Sequence, residues 1–204
     1  MLQGMEKSKR IYLIRHGQVV GYDNFPVFGH TDVELTGVGI MQMKQVAERL
    51  RLVELEGIYS SDLKRASMGA RLIATHHNVP IHFLQELREM HFGNWEGMTL
   101  SQIRTGFPEE LEKRQKDIVH FEAPGNGESV AMLSNRIMKA FENILFRHEN
   151  GKIAIVAHGA VNRVILSRAL GLDLSRMFHI QQDYGCLNIV DYFQDNTLVR
   201  LMNG

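Results

Sequence analysis

Four consecutive apolar residues, Ile11 to Ile14, stand out of an otherwise polar beginning, with no alternation of polar and apolar positions. Such a run predicts a strand covered on both faces, as in a parallel sheet. From Gly17 to Thr36 the glycines, Pro26 and an Asp/Asn pair predict an irregular loop, while Phe25, Val27 and Phe28 imply that it packs onto something. Apolar residues then fall at helical spacing from Thr36 to about Leu52, among them Val38, Met41, Val46 and Leu50, with Thr36 as the expected N-cap. GIYSS, Gly57 to Ser61, reads as a second strand, and Ser60, Ser61 or Asp62 as the cap of a helix running to about His77. Residues 81 to 98 read as less regular, and a charged, helix-forming stretch follows to about Val119. That stretch predicts a cap segment over about 99–123, closed by the loop Pro124 to Ser129. Val130, Leu133, Ile137, Ala140, Ile144 and Leu145 recur at a 3.6-residue period, predicting a helix from Ser129 to His148. The opening design then repeats: an apolar strand, Ile153 to Ala157, then His158, Gly159 and a helix to about Leu170. LNIVDYF and TLVRLM, around a QDN turn, predict a hairpin.

Strands alternating with helices predict an α/β fold: three layers, a mostly parallel sheet with helices on both faces, and a small helical cap. No linker or repeat divides the chain, so residues 1–204 are expected to form a single domain. With 204 residues and 44% apolar content, a sizeable core is within reach. Twenty-three basic residues cancel twenty-three acidic ones, which argues against an electrostatic grip on nucleic acid or on anionic lipid. No stretch approaches the roughly twenty apolar residues that span a bilayer, and MLQGMEKSKR has no apolar run of signal-peptide length. A single cysteine, Cys186, cannot form an internal disulfide. The expectation is a cytoplasmic protein with no nucleic-acid or membrane partner; the oligomeric state stays open. Any attraction for an anion must be local.

The two His-Gly pairs supply a locality. In open α/β sheets ligands bind outside the carboxyl ends of the strands, and both pairs sit there. If the two strands are neighbours, Arg15, His16 and His158 converge, the glycines admit a ligand close to the backbone, and the helix after Gly159 presents free N–H groups. Arg65, in SSDLKRA, lies in the first turn of its helix, and helical side chains lean towards the N-terminus, so it should reach the same edge. Taken singly, the Arg15-His16 pair merely ends a strand and Arg65 is a surface arginine. Together, two guanidiniums and two imidazoles without clustered carboxylates suit a dianionic phosphoryl group, whose oxygens match arginine forks bidentately.

These residues resemble the histidine phosphatase superfamily, which includes the cofactor-dependent phosphoglycerate mutases. The likeness runs through RHG at Arg15-His16-Gly17, Gly29 and Asp32 with LTGVGIMQ, SSDLKRA with Arg65, LREMHFGNWEG around Glu89, GES at Gly127 to Ser129 with Arg136 beyond, and VAHG at His158. The resemblance implies a metal-independent phosphatase without a cofactor, acting on a small phosphomonoester. His16 is then the nucleophile that becomes phosphohistidine, Arg15, Arg65, His158 and Gly159 bind the phosphoryl group with His158 protonated, and Glu89 donates and accepts the proton. Trp95 and Phe92 are expected to surround the Glu89 carboxyl. Mutases of the superfamily resemble longer chains, with Asn-Ser after the second His-Gly; here the interval is compact and Ala160-Val161 follow, which favours hydrolysis. Gln18-Val19-Val20-Gly21 departs from the usual residues after RHG. Among named substrates α-ribazole 5'-phosphate, of cobalamin biosynthesis, ranks ahead of a mutase or sugar bisphosphatase reading. A non-catalytic phospholigand-binding protein ranks below these, because His16, Glu89 and His158 are all present.

Other features are weaker. His76-His77 with His82 or His91 lacks both a HExxH spacing and a supporting cysteine, so no zinc site is expected. PGNGES lacks the Lys-Ser/Thr ending of a nucleotide-binding loop. Lys113, Arg114 and Lys116 form a solvated face or meet a second anionic group of the substrate.

Overall fold

The apolar run near the start of the chain lies in the middle of the sheet. The computed structural model describes residues 8–24 and 26–204, so the readings that fall on Phe25 and on residues 1–7 lie outside the described residues. The regular elements are β1 (Lys9–Arg15), α1 (Gly37–Leu50), β2 (Leu55–Ser61), α2 (Lys64–Ala74), β3 (Ile81–Leu84), α3 (Leu100–Gly106), α4 (Pro108–Lys116), α5 (Val130–Arg147), β4 (Gly151–Ala157), α6 (Gly159–Leu170), β5 (Leu187–Tyr192) and β6 (Thr197–Leu201). The strand order is β3-β2-β4-β1-β5-β6. β1 runs parallel to β4, β4 to β2 and β2 to β3, while the β5–β6 hairpin adds to β1 in the antiparallel sense.

Successive side chains of a strand point to opposite faces. Ile11 and Leu13 of β1 join Leu133, Ile137 and Phe141 of α5 and Val161, Val164 and Ile165 of α6. Tyr12 and Ile14 instead join Met43 and Val46 of α1 and Ala66, Ala70 and Ile73 of α2. Both faces are therefore covered, which is why the strand sequence does not alternate. This is the three-layer, mostly parallel α/β architecture expected. Thr36 and Ser129 cap α1 and α5 as read, accepting from Gly39 N–H at 3.0 Å and Met132 N–H at 3.2 Å.

A third cluster, Trp95, Ile103 and Ala123 with Val27, Phe92, Phe107, Leu111 and Phe121, joins α3 and α4 to the loop after β1. Val27 N–H bonds to Met98 O at 2.9 Å, and Gly97 N–H returns the contact to Val27 O at 2.7 Å. The loop thus packs onto the helical segment, as its apolar residues implied.

Three expectations need correction. The segment read as irregular begins with an edge strand, β3, whose four residues pair, among the described residues, only with β2. The single charged helical stretch is two helices, broken at Phe107, with Pro108 at the start of the second, where its missing N–H costs nothing. None of Ser60, Ser61 and Asp62 caps α2, whose N-cap position is Leu63 with no side-chain cap. Asp62 is engaged instead by a bidentate pair with Arg88, and the Lys64 N–H is satisfied by Asp32 Oδ1, at 2.8 Å, from the loop.

Candidate active site

The parallel register pairs Arg15 of β1 with Ala157 of β4, so the residues that follow, His16 and His158, leave the sheet side by side. Their ring centroids lie 5.1 Å apart, and both side chains are buried, at 4% and 0% exposure. His16 Nδ1 lies 2.8 Å from Gly17 O. A carbonyl can only accept, so Nδ1 carries the proton and Nε2 keeps a free lone pair. Burial, then Arg65 and Arg15, lower the His16 pKa well below 6.5 and hold the ring neutral.

Arg65 is buried in the first turn of α2, where Nη1 donates to Thr31 O at 2.8 Å and Nη2 to Gly29 O at 2.6 Å. Arg15 Nη1 donates to Gln182 O at 2.6 Å, and its guanidinium lies over the Tyr184 ring at 4.1 Å. Arg15 Nε and both ring nitrogens of His158 are buried without a hydrogen-bond partner among the described residues. Buried polar groups are rarely left so: Arg15 Nε–H and the one N–H of a neutral His158 lack an acceptor, and the other His158 ring nitrogen lacks a donor. The surroundings of His158 oppose the protonated form expected of it. Burial, with Arg65, His16, Arg15 and His30 around it, lowers its pKa well below 6.5; a bound dianion acts in the opposite sense.

Glu89 occupies the place where free helix N–H groups were expected. Its carboxylate accepts from Ala160 N–H, in the first turn of α6, at 3.2 and 3.3 Å, and from Met90 N–H at 2.9 Å. Phe92 stands beside it in the pocket wall. Trp95 points elsewhere, with its ring centroid 5.4 Å from Phe121 and 6.2 Å from Phe107. Gly159 makes room: a Cβ there would lie 3.1 Å from Arg163 Nη1 and 3.6 Å from Arg15 Nε. Sequence reasoning missed Tyr184, which lines the cavity under the Arg15 guanidinium and is tied to Arg15 by no local pattern.

Arg15, His16, Arg65 and Glu89 line a cavity of about 200 Å³, whose other walls include Val27, Phe28, Phe92 and Tyr184. A larger groove of about 340 Å³, bordered by Lys139 and Arg147 beside β3 and α5, holds none of these groups. Gln18, the first residue of the departing loop, has a structural part: its N–H bonds to Gln42 and its side-chain oxygen accepts from Thr36. Lys113 and Lys116 are exposed, while Arg114 lies over Phe178, with its guanidinium carbon 5.4 Å from the ring centroid. Among the described residues no group of three His, Cys, Asp or Glu side chains is arranged to hold a metal ion.

Residues 11–204 match the family model described as histidine phosphatase superfamily (branch 1). The chain belongs to this superfamily. It is 28% identical over 194 residues to the adenosylcobalamin/alpha-ribazole phosphatase of Escherichia coli K12, covering 95% of each chain. Over 161 residues it is 34% identical to phosphoglycerate mutase-like protein 4 of Arabidopsis thaliana, covering 78% of this chain and 70% of that one. Among solved structures, the alpha-ribazole phosphatase of Shigella flexneri superposes with a TM-score of 0.88 at 29% identity, covering 96% of both chains. As a histidine phosphatase the protein is an enzyme of phosphoryl-ester hydrolysis through a phosphohistidine. No helix of the described residues is long and apolar enough to cross a membrane.

The two depressed histidines have a consequence for this histidine phosphatase's stability. In the unfolded chain both titrate near 6.5, and in the folded protein well below it. Between those values the unfolded state binds more protons, so their contribution is complete above about pH 6.5 and is lost as pH falls. Thermal melts should show a Tm that declines from pH 6.5 towards about pH 5, and less steeply in saturating phosphate. His158→Ala should flatten part of that slope; an unchanged slope would place its origin elsewhere.

Proposed function

We propose that this histidine phosphatase hydrolyses a phosphomonoester with an apolar, aromatic alcohol, and that α-ribazole 5'-phosphate is the substrate that fits best. The observation that carries the catalytic reading is the fixed tautomer of His16, with Nε2 free in a cavity that Arg15, Arg65 and Glu89 share. Nε2 attacks phosphorus without first losing a proton. The P–N bond forms as the P–O bond to the alcohol breaks, and Glu89 protonates the departing oxygen. Arg15, Arg65 and His158, with the backbone at Gly159, stabilise charge on the equatorial oxygens of the loose, in-line transition state. Water then attacks the phosphohistidine, with Glu89 taking its proton, and phosphate leaves.

The aromatic preference rests on Phe28, Phe92 and Tyr184 at the cavity wall and on the phosphatases to which the chain is similar. In this reading residues 1–204 work as a single domain in the cytoplasm, on a small molecule, without a nucleic-acid or membrane partner, and the segment at about 99–123 caps the alcohol side.

The test is a set of initial rates, with EDTA present, on α-ribazole 5'-phosphate, glycerol 3-phosphate and 3-phosphoglycerate, the last also with 2,3-bisphosphoglycerate. Burying one aromatic group is worth up to about 3 kcal/mol, or roughly 10²-fold in kcat/KM, so α-ribazole 5'-phosphate should exceed glycerol 3-phosphate by about that factor. Equal rates would remove the aromatic preference. Interconversion of phosphoglycerates faster than phosphate release would make the protein a mutase.

A further inference from the structure

The loop that holds Arg65 and the segment that carries Glu89 meet on one carboxylate. Glu96 Oε1 accepts from His30 N–H at 2.8 Å and from Phe92 N–H at 3.3 Å. Its Oε2 accepts from the N–H and the hydroxyl of Thr31, each at 2.7 Å. Those loop residues are the ones that clamp Arg65, through Gly29 O and Thr31 O. The Gly29–His30 peptide is decisive, because its carbonyl accepts from Arg65 Nη2 and its N–H donates to Glu96 Oε1. In a trans peptide those two groups point in opposite directions. Glu96 and Arg65 therefore grip one rigid plane from its two sides, and in such a chain each hydrogen bond polarises the next.

The same turn reaches Glu89. His30 Nε2 donates to Glu89 O at 2.9 Å, and Phe92, whose N–H is held by Glu96, lines the cavity three residues on. Gly29 permits the arrangement. Its φ is +49°, and a Cβ would fall 2.2 Å from Glu96 Oε1 and 2.9 Å from Met90 O. Burial pushes the Glu96 carboxyl up, but hydrogen bonds from Thr31, His30 and Phe92 outweigh it and hold the group below its ordinary 4.5. The carboxylate itself is not among the groups lining the cavity.

We propose that Glu96 is a positioning residue of the reaction, which sets the Arg65 guanidinium relative to Glu89 by fixing the peptides of residues 29–31. It acts on the phosphoryl group through Arg65 and on the leaving group through the Glu89 backbone. This rests on the reading of Arg65 as a phosphoryl ligand.

The test is a double-mutant cycle of Glu96→Gln and Arg65→Lys, followed by kcat/KM, inhibition by orthovanadate and by phosphate, and Tm. Glutamine keeps the size but turns one acceptor into a donor facing backbone N–H groups. A displacement near 1 Å of a group that contacts the transition state costs about 10²-fold, so Glu96→Gln should lower kcat/KM by roughly 10- to 100-fold. It should weaken vanadate, a mimic of the five-coordinate phosphorus, more than phosphate. In the Arg65→Lys background the same change should cost less than about threefold, because groups that act as one unit are not additive. Equal losses in both backgrounds, tracking Tm, or no loss at all, would overturn the inference. An Arg65→Lys enzyme of full activity would instead overturn the reading of Arg65. If Glu96→Gln does not fold, Glu96→Asp, which keeps charge and acceptors but draws them back by one methylene, carries the same cycle.

Discussion

His16→Ala should reduce hydrolysis of every phosphomonoester by on the order of 10⁴- to 10⁶-fold, the scale on which the loss of a covalent nucleophile is felt. No other imidazole in the site is placed to replace it. His158 adjoins His16 at 5.1 Å between centroids, but in the proposed mechanism its ring serves the phosphoryl oxygens, and it is fully buried. Alkaline quench during turnover of the wild type should trap a phosphoramidate visible by phosphorus NMR, and the variant should give none. Because Arg15, Arg65 and His158 remain, vanadate should still bind the variant within about tenfold of the wild type. Retention of more than about a hundredth of the activity, or a phosphorylated histidine elsewhere in the chain, would remove His16 from the mechanism.

Glu89→Gln separates proton transfer from phosphoryl binding. General acid catalysis is worth 10²- to 10⁴-fold, so kcat on an alkyl or ribosyl phosphate should fall by about that factor. With p-nitrophenyl phosphate the burst that reports phosphorylation of His16 should be nearly intact, since p-nitrophenolate leaves without a proton. Steady turnover should still lag, because water attack on the phosphohistidine also draws on this carboxylate. Glutamine retains an acceptor for the Ala160 N–H that Glu89 now binds, so the start of α6 should keep its geometry and phosphate inhibition should change little. A burst slowed equally for both leaving groups would make Glu89 a structural residue and send the search for the acid elsewhere.

What could be read from the chain alone follows from how local each signal is. The strand ends at Arg15 and Ala157, the caps at Thr36 and Ser129 and the periodic face of α5 depend on neighbours a few residues away, and all were legible. β3 was not. Three of its residues are half-buried and Phe83 is exposed, and they become a strand because β2 offers them an edge. The start of α2 is satisfied by Asp32, 32 residues earlier, a partner that no cap pattern encodes. The same holds around Arg15, whose carbonyl partner Gln182 is 167 residues away. His158 shows a different limit: its place was correctly foreseen, but its charge depends on how deeply the fold buries it beside Arg65 and Arg15. The motifs named the chemical groups, and packing decided their protonation and their supports.

The separation of the three apolar clusters bears on how such an enzyme diverges. The clusters on the two faces of the sheet hold β1, β4, α2 and α6, and hence the elements that carry or precede Arg15, His16, Arg65 and His158. Trp95, Ile103 and Ala123 hold α3, α4 and the loop at Val27, the wall that would face the alcohol. Phe92 packs against both the α5–α6 cluster and this smaller one. Substitutions or insertions in the smaller cluster can therefore be accepted while the sheet keeps its packing. Substitutions there should alter the preference among alcohols before they lower stability, and those in the two sheet clusters should do the reverse.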